Sequence, residues 1–294
     1  MRLPYILLTL TALIWAGNAI AGRYADGHVS PMVLTLLRWA IAVAVLGVIG
    51  RKAIRADLGL ARRHWIYLGL MGAIGYTTFN FLLYTALRYT SAINVAIEQS
   101  AMPLFIFILT FAIFRKAAGA LQIVGFLLTA VGVAVVATGG GIAGGSLALN
   151  RGDAIMIVGA LAYAAYSAAL PLKPAMNGTA FLFWLMVAAL ATAVFGAGVE
   201  AAAGETIWPY DAQGWLVVLY AGLFPSLVAQ ALFIRGVDAL GANRAGLFIN
   251  LVPVFTAGLA VALLGETLGW YHVVAFVLVA GGVVLAQRAE PQRA

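Results

Sequence analysis

The chain of 294 residues is 64% hydrophobic and only 9% charged, with a mean hydropathy of +1.02 and a formal net charge of +7. Soluble domains carry about 25% charged residues, so a chain this apolar cannot coat itself for water and its main solvent must be lipid. The basic residues lie mostly in short gaps between apolar runs, which speaks against a nucleic-acid module, and the absence of cysteine excludes a disulfide framework and thiolate chemistry.

A membrane-spanning helix needs about 20 apolar residues. Ten runs qualify, approximately 4–22, 30–50, 65–86, 92–113, 118–138, 153–170, 179–199, 213–233, 241–264 and 270–287. The first follows a single early base, Arg2, and further apolar runs come at once, so it reads as a membrane helix and not as a cleaved signal peptide. The breaks carry charge, Gly or Pro, as in Arg51-Lys52-Ala53-Ile54-Arg55, Arg115-Lys116, the stretch from Gly139 to Gly145, and Gly204-Glu205 through Asp211. Alternating ten-residue segments of the β-barrel kind are absent. The expected fold is an all-α integral membrane protein of ten transmembrane helices.

Loop charges orient it. With the N-terminal side inside, 13 of the 17 Lys and Arg fall inside, Arg23, Arg88 and Arg151 fall outside, and Arg38 lies within a span; the acids Asp26, Asp153, Glu200, Glu205, Asp211 and Glu266 fall outside. This bias predicts that both termini face the cytoplasm, in a multi-pass protein of the inner (plasma) membrane.

A shift of 150 residues lays the sequence on itself without a gap over about 70 residues. Trp65 meets Trp215, Gly72 meets Gly222, Asn80 meets Gln230, Ala92 meets Ala242, Pro103 meets Pro253, Gly119 meets Gly269 and Gly132 meets Gly282. Chance agreement between apolar stretches rarely aligns Trp, Pro and Gly together. The expected organisation is a first five-helix repeat over 1–140, an outside linker over 141–151 and a second five-helix repeat over 152–294. An odd helix number inserts the second half upside down, and inverted repeats are a recurring plan of secondary transporters, with substrate near the midplane between halves.

Further marks are Ile14-Trp15-Ala16-Gly17-Asn18 in the first run, Pro31 followed by Arg38 in the second, the prolines of the fourth and ninth, and Leu264-Gly265-Glu266-Thr267 before the last. With the repeat, these resemble the drug/metabolite transporter superfamily of the EamA type over nearly the whole chain. The sixth and seventh runs have no clear counterpart of Trp15 or Arg38. The resemblance implies export of small metabolites, often amino acids, driven by a gradient, with protons as one candidate coupling ion.

Within the spans, Glu98 reads as the sole carboxylate. It lies about 10 Å from the outer end of its helix and Arg38 about 12 Å from the outer start of its own. Equal depth predicts an Arg38–Glu98 pair, either a substrate-charge clamp or proton-coupling site, or a static pair joining two helices. The amides Asn18, Asn80, Asn94, Gln99, Gln230 and Asn250 are candidates for substrate contact or for interhelical bonds worth about 1 kcal/mol. As repeat partners, Asn80 and Gln230 are expected to approach each other. Trp65, Trp208, Trp215, Trp270 and Tyr271 sit at helix ends and read as interface belt. Trp15, Tyr76, Phe79, Tyr84, Tyr163, Tyr166 and Phe248 lie deeper. Tyr76, Phe79, Asn80 and Tyr84 share a helix face, and Tyr163 and Tyr166 another. Such rings suit helix packing or a pocket for a ring-bearing metabolite, which points to aromatic or other large neutral amino acids; a multidrug exporter of the same fold is the alternative. Pro103 and Pro253 remove a helix hydrogen bond each and are expected to kink their spans as hinges or as static bends.

The three histidines are scattered, with no His-Glu-x-x-His and no phosphate-binding Gly-x-x-x-x-Gly-Lys-Ser/Thr loop. No cofactor, metal or nucleic-acid partner is expected, and a lipid-modifying membrane enzyme would have only Glu98 to work with. The expected partners are the bilayer and a small-molecule substrate.

Overall fold

The computed structural model describes residues 3–114, 119–140, 150–241, 245 and 248–288, so Arg2, Arg115, Lys116, Ala242 and Gly141 to Gly145 of the sequence reading lie outside the described residues. Every regular element among those described is helical. In chain order these are α1 (Leu3–Tyr24), α2 (Pro31–Ile49), α3 (Arg51–Ala56), α4 (Leu58–Arg63), α5 (Trp65–Gly72), α6 (Phe79–Ala86), α7 (Ala92–Gln99), α8 (Met102–Phe114), α9 (Ala120–Ala137), α10 (Arg151–Ala169), α11 (Gly178–Ala202), α12 (Ala212–Leu223), α13 (Ala229–Leu240), α14 (Leu251–Leu264) and α15 (Trp270–Arg288). Eight helical stretches are long and apolar enough to cross a membrane, and Phe248–Leu264 and Trp270–Ala286 are shorter apolar helices. Large apolar side chains cover the outside, Phe195 being 77% exposed and Val277 66%. Such a surface is stable only against lipid.

Helix starts follow from local chemistry. Pro31 opens α2, where no donor is needed. Side chains of Ser91, Asn150, Asn177 and Asp211 accept from the first free amides of α7, α10, α11 and α12. Two glutamates do this across the fold. Glu200 accepts from Met32 N and from Ser30 Oγ at the head of α2. Glu266 accepts from Ala92 N at 2.8 Å and Ile93 N at 3.1 Å at the head of α7.

The packing pairs elements in a reciprocal way. α1 packs on α13 and α14, as α10 packs on α6 and α8; α2 packs on α12, as α11 packs on α5; and α2 packs on α11. The most extensive helix contact is between α9 and α15, and it is also close. A Cβ on Gly125 would strike the Gly282 carbonyl, and one on Gly132 would meet the Ala275 carbonyl at 3.0 Å. The 150-residue shift turns Gly125 into Ala275 and Gly132 into Gly282, so each contact maps onto the other. Small residues allow this backbone proximity, which gives helices in lipid their dispersion contact.

Two spans are interrupted by π-helical turns at corresponding places, Ala73–Thr78 between α5 and α6, and Phe224–Val228 between α12 and α13. In the second, Pro225 has no amide to continue the ladder. In the first, Gly75 leaves room for the ring of Tyr166, which any Cβ would strike. The fourth span, expected to be one kinked helix, is broken at Ser100–Ala101. Pro103 is therefore in the first turn of α8, and Pro253 in the first turn of α14 after a 3-10 turn at Phe248–Asn250. Neither proline bends a continuous helix; each sits near a start, where its missing donor costs little.

Candidate functional site

Arg38 lies halfway along α2 and is only 4% exposed. Its guanidinium is held by four neutral groups from three other segments. Nε donates to Ser226 Oγ at 3.0 Å in the second π-turn. Nη1 donates to Asn18 Oδ1 at 3.3 Å on α1, to Tyr84 OH at 2.5 Å on α6, and to Asn80 Oδ1 on the same helix. Asn80 Nδ2 donates to the Tyr76 carbonyl at 2.7 Å, which fixes its amide so that the oxygen faces Arg38. Tyr84 OH passes its own proton to Asn18 Oδ1 at 3.0 Å. Among the described residues no carboxylate lies within ion-pair distance of Arg38, the salt bridges found being His28–Asp211 and Arg88–Asp26. Nη2 forms no bond among them either. A cation within a span costs about 3 kcal/mol on insertion scales. The four dipoles solvate the charge without neutralising it, so the site keeps a net positive charge.

An aromatic wall adjoins the guanidinium. Arg38 Cζ lies 4.8 Å from the Trp39 ring centre and 5.9 Å from that of Tyr84. Trp39 stacks on Tyr76 with centroids 4.9 Å apart, Tyr76 meets Tyr166 at 5.7 Å, Tyr166 meets Tyr163 at 5.5 Å, and Tyr163 meets Phe79 at 4.9 Å. The buried indole nitrogen of Trp39 has no partner, so a donor is available beside the cation. Trp15 is one layer away, its Nε1 donating to the Pro225 carbonyl at 3.4 Å and its ring 5.3 Å from Phe233.

The structure thus joins Asn18, Arg38, Tyr76, Phe79, Asn80, Tyr84, Tyr163 and Tyr166, with Trp15 adjacent. It leaves others apart. Gln99 and Gln230 are half-buried with no side-chain hydrogen bond among the described residues, Phe248 packs on Tyr5 at 6.0 Å, and Asn250 is exposed. The side chain that Arg38 bonds in the far half is therefore not Gln230, the repeat partner of Asn80, but Ser226, one helical turn earlier. Ser226 and Trp39 escaped the sequence reading; Ser226 is the 150-residue mate of Tyr76, and Trp39 is the neighbour of Arg38.

The Arg38–Glu98 pair is not formed. Both Glu98 oxygens are buried and without a hydrogen-bond partner. Equal depth does not bring two side chains together, because each residue along a helix turns about 100° and azimuth decides the neighbour. Glu98 is also not alone. Asp153, placed outside by the sequence reading, is buried on α10 at 2% exposure, and α10 packs on α7, which carries Glu98. Asp153 Oδ1 accepts from Thr90 Oγ1 at 2.5 Å, and Thr90 Oγ1 accepts from Asn94 Nδ2 at 3.1 Å.

Two cavities flank these clusters. One of about 600 Å³ is polar and lined by Arg23, Arg88, Thr90, Asn94, Glu266 and His272 among others. The other, about 740 Å³, is an apolar groove between α1, α12 and α14 that includes Leu13, Ile20, Leu216, Tyr220 and Leu263 and touches none of the Arg38 ligands. The polar groups border the smaller cavity, and the apolar groove is lined by no charged side chain.

At the surface, Asp211 caps α12 through Gly214 N at 2.8 Å and meets His28 Nδ1 at 2.6 Å. The Gly214 amide, with help from His28, holds the Asp211 carboxyl below its ordinary range.

The EamA-like transporter family model matches the chain twice, over residues 2–138 and 150–287. The chain is 26% identical to the uncharacterized transporter YyaM of Bacillus subtilis (strain 168) over 286 residues, covering 96% of this chain and 92% of that protein. It is 23% identical to an uncharacterized transporter of Archaeoglobus fulgidus over 295 residues, covering 98% of both. A crystal structure of a protein 20% identical superposes with a TM-score of 0.62 over 98% of this chain and 99% of that one, a likeness of fold. A family model that accounts for both halves of the chain, on a fold of packed apolar helices, identifies a multi-pass membrane protein that belongs to the EamA-like transporter family.

Proposed function

We propose that this transporter is an alternating-access exporter of small metabolites bearing a carboxylate and an apolar ring or chain, with aromatic and large neutral amino acids as its substrates. The observation that carries the reading is Arg38, a buried cation with four neutral ligands, no counter-charge and an unused pair of Nη2 donors. A carboxylate would supply the missing charge and accept from the guanidinium fork. The ring of such a substrate would lie on the wall of Trp39, Tyr76, Phe79, Tyr163 and Tyr166, and the free Trp39 indole N–H would reach one of its oxygens.

Ten spans in two inverted five-helix halves, 1–140 and 152–294 joined by the linker 141–151, suit this reading. The twofold family match, the reciprocal packing pairs and the paired π-turns all support that arrangement. With both termini in the cytoplasm of an inner membrane, the vestibule of Glu266 faces outside. Reciprocal halves can rock about a central site at nearly equal energy, and Arg38 is bonded to side chains of both. The paired breaks before Pro103 and Pro253 would be the flexible points.

Counterflow of labelled tryptophan or phenylalanine into proteoliposomes tests it, with leucine, alanine and a cationic drug as competitors. Saturable counterflow inhibited best by ring-bearing amino acids is the expected result. Flux of the cationic drug without amino-acid flux would reject the carboxylate site and favour the multidrug alternative, for which the apolar groove between α1, α12 and α14 is the natural pocket.

A further inference from the structure

Away from Arg38, the fold contains a second buried charged site that the carboxylate reading does not use. Glu98 is 1% exposed, and neither of its oxygens accepts a hydrogen bond. An ionised carboxylate so placed would be a desolvated anion without a donor, which costs several kcal/mol. Asp153, on the packed helix α10, accepts from Thr90, and Thr90 is bonded to Asn94, one turn before Glu98 on the same face of α7, so a second buried carboxyl lies on the Glu98 side of the helix pair. Two facing carboxyls with no donor between them are completed by one proton: the acid that carries it donates to the other, and a single negative charge is left on the pair.

The surroundings favour that assignment. α7, which carries Glu98, is packed by α1, α9, α10, α14 and α15. α9 and α14 bring no titratable residue. α1 brings Arg23 and Tyr24, whose polar atoms donate to the carbonyls of Leu87 and Leu263. α10 brings Asp153 and, at its exposed start, Arg151. α15 brings Tyr271 and His272, and the turn before it brings Glu266, whose oxygens are taken by the amides of Ala92 and Ile93. Among the described residues no cation lies within ion-pair distance of Glu98 or Asp153.

The pair also has a route to water. Thr90 and Asn94 line the polar cavity of about 600 Å³, and Thr90 bonds Asp153 directly. The donors run in one direction. His272 Nδ1 accepts from Gly269 N at 2.9 Å, so its proton is on Nε2, which donates to Asn94 Oδ1 at 3.1 Å. Asn94 donates to Thr90, and Thr90 to Asp153.

We propose that Glu98 and Asp153 form a proton-binding site that holds one proton between two carboxyls and exchanges it with water in the vestibule through the Thr90 hydroxyl. The proton arrives from vestibule water and returns there, with no other bond made or broken. Its coupling to flux rests on the carrier reading above; its existence does not.

Infrared spectra of the reconstituted full chain at neutral pH test the site without a substrate. A protonated-carboxyl stretch is expected in the wild type, shifting on transfer to D2O as exchange with the vestibule requires. Glu98→Gln keeps the shape and gives Asp153 an amide donor, so the band should vanish. Glu98→Asp should retain it. A wild type without the band, a band that ignores D2O, or a band that survives Glu98→Gln overturns the proposal. Coupling is then read in proteoliposomes carrying labelled tryptophan and a pH dye: net tryptophan efflux from wild-type vesicles should move protons, and net efflux from Glu98→Gln vesicles should not. Absence of tryptophan counterflow would count against the amino-acid reading and leave the infrared result to decide the proton site.

Discussion

The two family-matching halves share a scaffold and differ in chemistry. Asn18, Arg38, Trp39, Tyr76, Asn80, Tyr84 and Glu98 in the first half correspond, 150 residues on, to Ala168, Ala188, Ala189, Ser226, Gln230, Ile234 and Phe248. Every charge and nearly every ring of that set is on one side, and the other side offers uncharged groups, all but Gln230 small or apolar, at the same places. The contacts that hold the halves together stayed matched, as the α9–α15 crossing shows. Packing in lipid constrains a position in both halves alike, because a Cβ at a backbone crossing is excluded whichever half supplies it. A binding group needs to exist only once, and a second buried cation would add another desolvation cost with no ligand to offset it.

That asymmetry predicts where substitutions hurt. The largest loss should follow Arg38→Lys. Lysine keeps the charge but loses the planar fork and its simultaneous bonds to Asn18, Asn80, Tyr84 and Ser226. Charge-assisted bonds are worth about 1.5–3 kcal/mol, so apparent affinity in tryptophan counterflow should drop roughly 10- to 100-fold. Unchanged affinity would move the site out of the first half. Next come the glycines of the crossing, where the halves should behave alike. Gly125→Val and Gly282→Val each drive methyl groups into the facing backbone. Each should lower stability by about 1–3 kcal/mol, read as a fall in the thermal midpoint of the purified protein. A large loss from one and none from the other would show that the crossing is not reciprocal.

Much of the scaffold was legible because lipid leaves the chain little choice. Runs such as 30–50 and 65–86 reappear as Pro31–Ile49 and as the stretch Trp65–Ala86, the length being set by the bilayer and the ends by Pro, Gly and charge. Interruptions within a span were not legible. The π-turn at Ala73–Thr78 depends on the Tyr166 ring entering beside Gly75, a contact between residues far apart in sequence. The site was legible in its members and not in its pairing. Arg38 and Glu98 were recognisable as costly groups in lipid, and depth put them level. Partners depend on azimuth, and the π-turns shift azimuth, which brings Ser226 and not Gln230 to the centre. Asp153 was misplaced because it stands at the edge of its run, where sequence alone does not separate a solvated end from a buried first turn.

Ser226 and Gln230 sharpen the comparison at a finer grain. Ser226→Ala removes the one bond that Arg38 receives from the second half. At the low end of the charge-assisted range such a bond is worth about 1.5 kcal/mol, so affinity should fall about tenfold, while Gln230→Ala should change it little. The reverse order in counterflow would put Gln230 at the centre with Asn80, as the repeat suggested, and make the centre more symmetric than the structure has it.

The smallest effect should come from the surface cap at Asp211, far from any binding group. Its carboxyl ionises more readily in the fold than in the unfolded chain, because the Gly214 amide and His28 favour the charged form. A lowered folded value means that its stabilisation is present above the unfolded value of about 3.9 and is lost as the pH falls through the folded value. Asp211→Asn still caps α12, since an amide oxygen can accept from Gly214 N, but it has no proton to gain. The thermal midpoint of the variant should therefore fall less than that of the wild type between neutral pH and strongly acid pH, with tryptophan counterflow at neutral pH unchanged. Equal acid sensitivity would assign the acid response to groups other than Asp211.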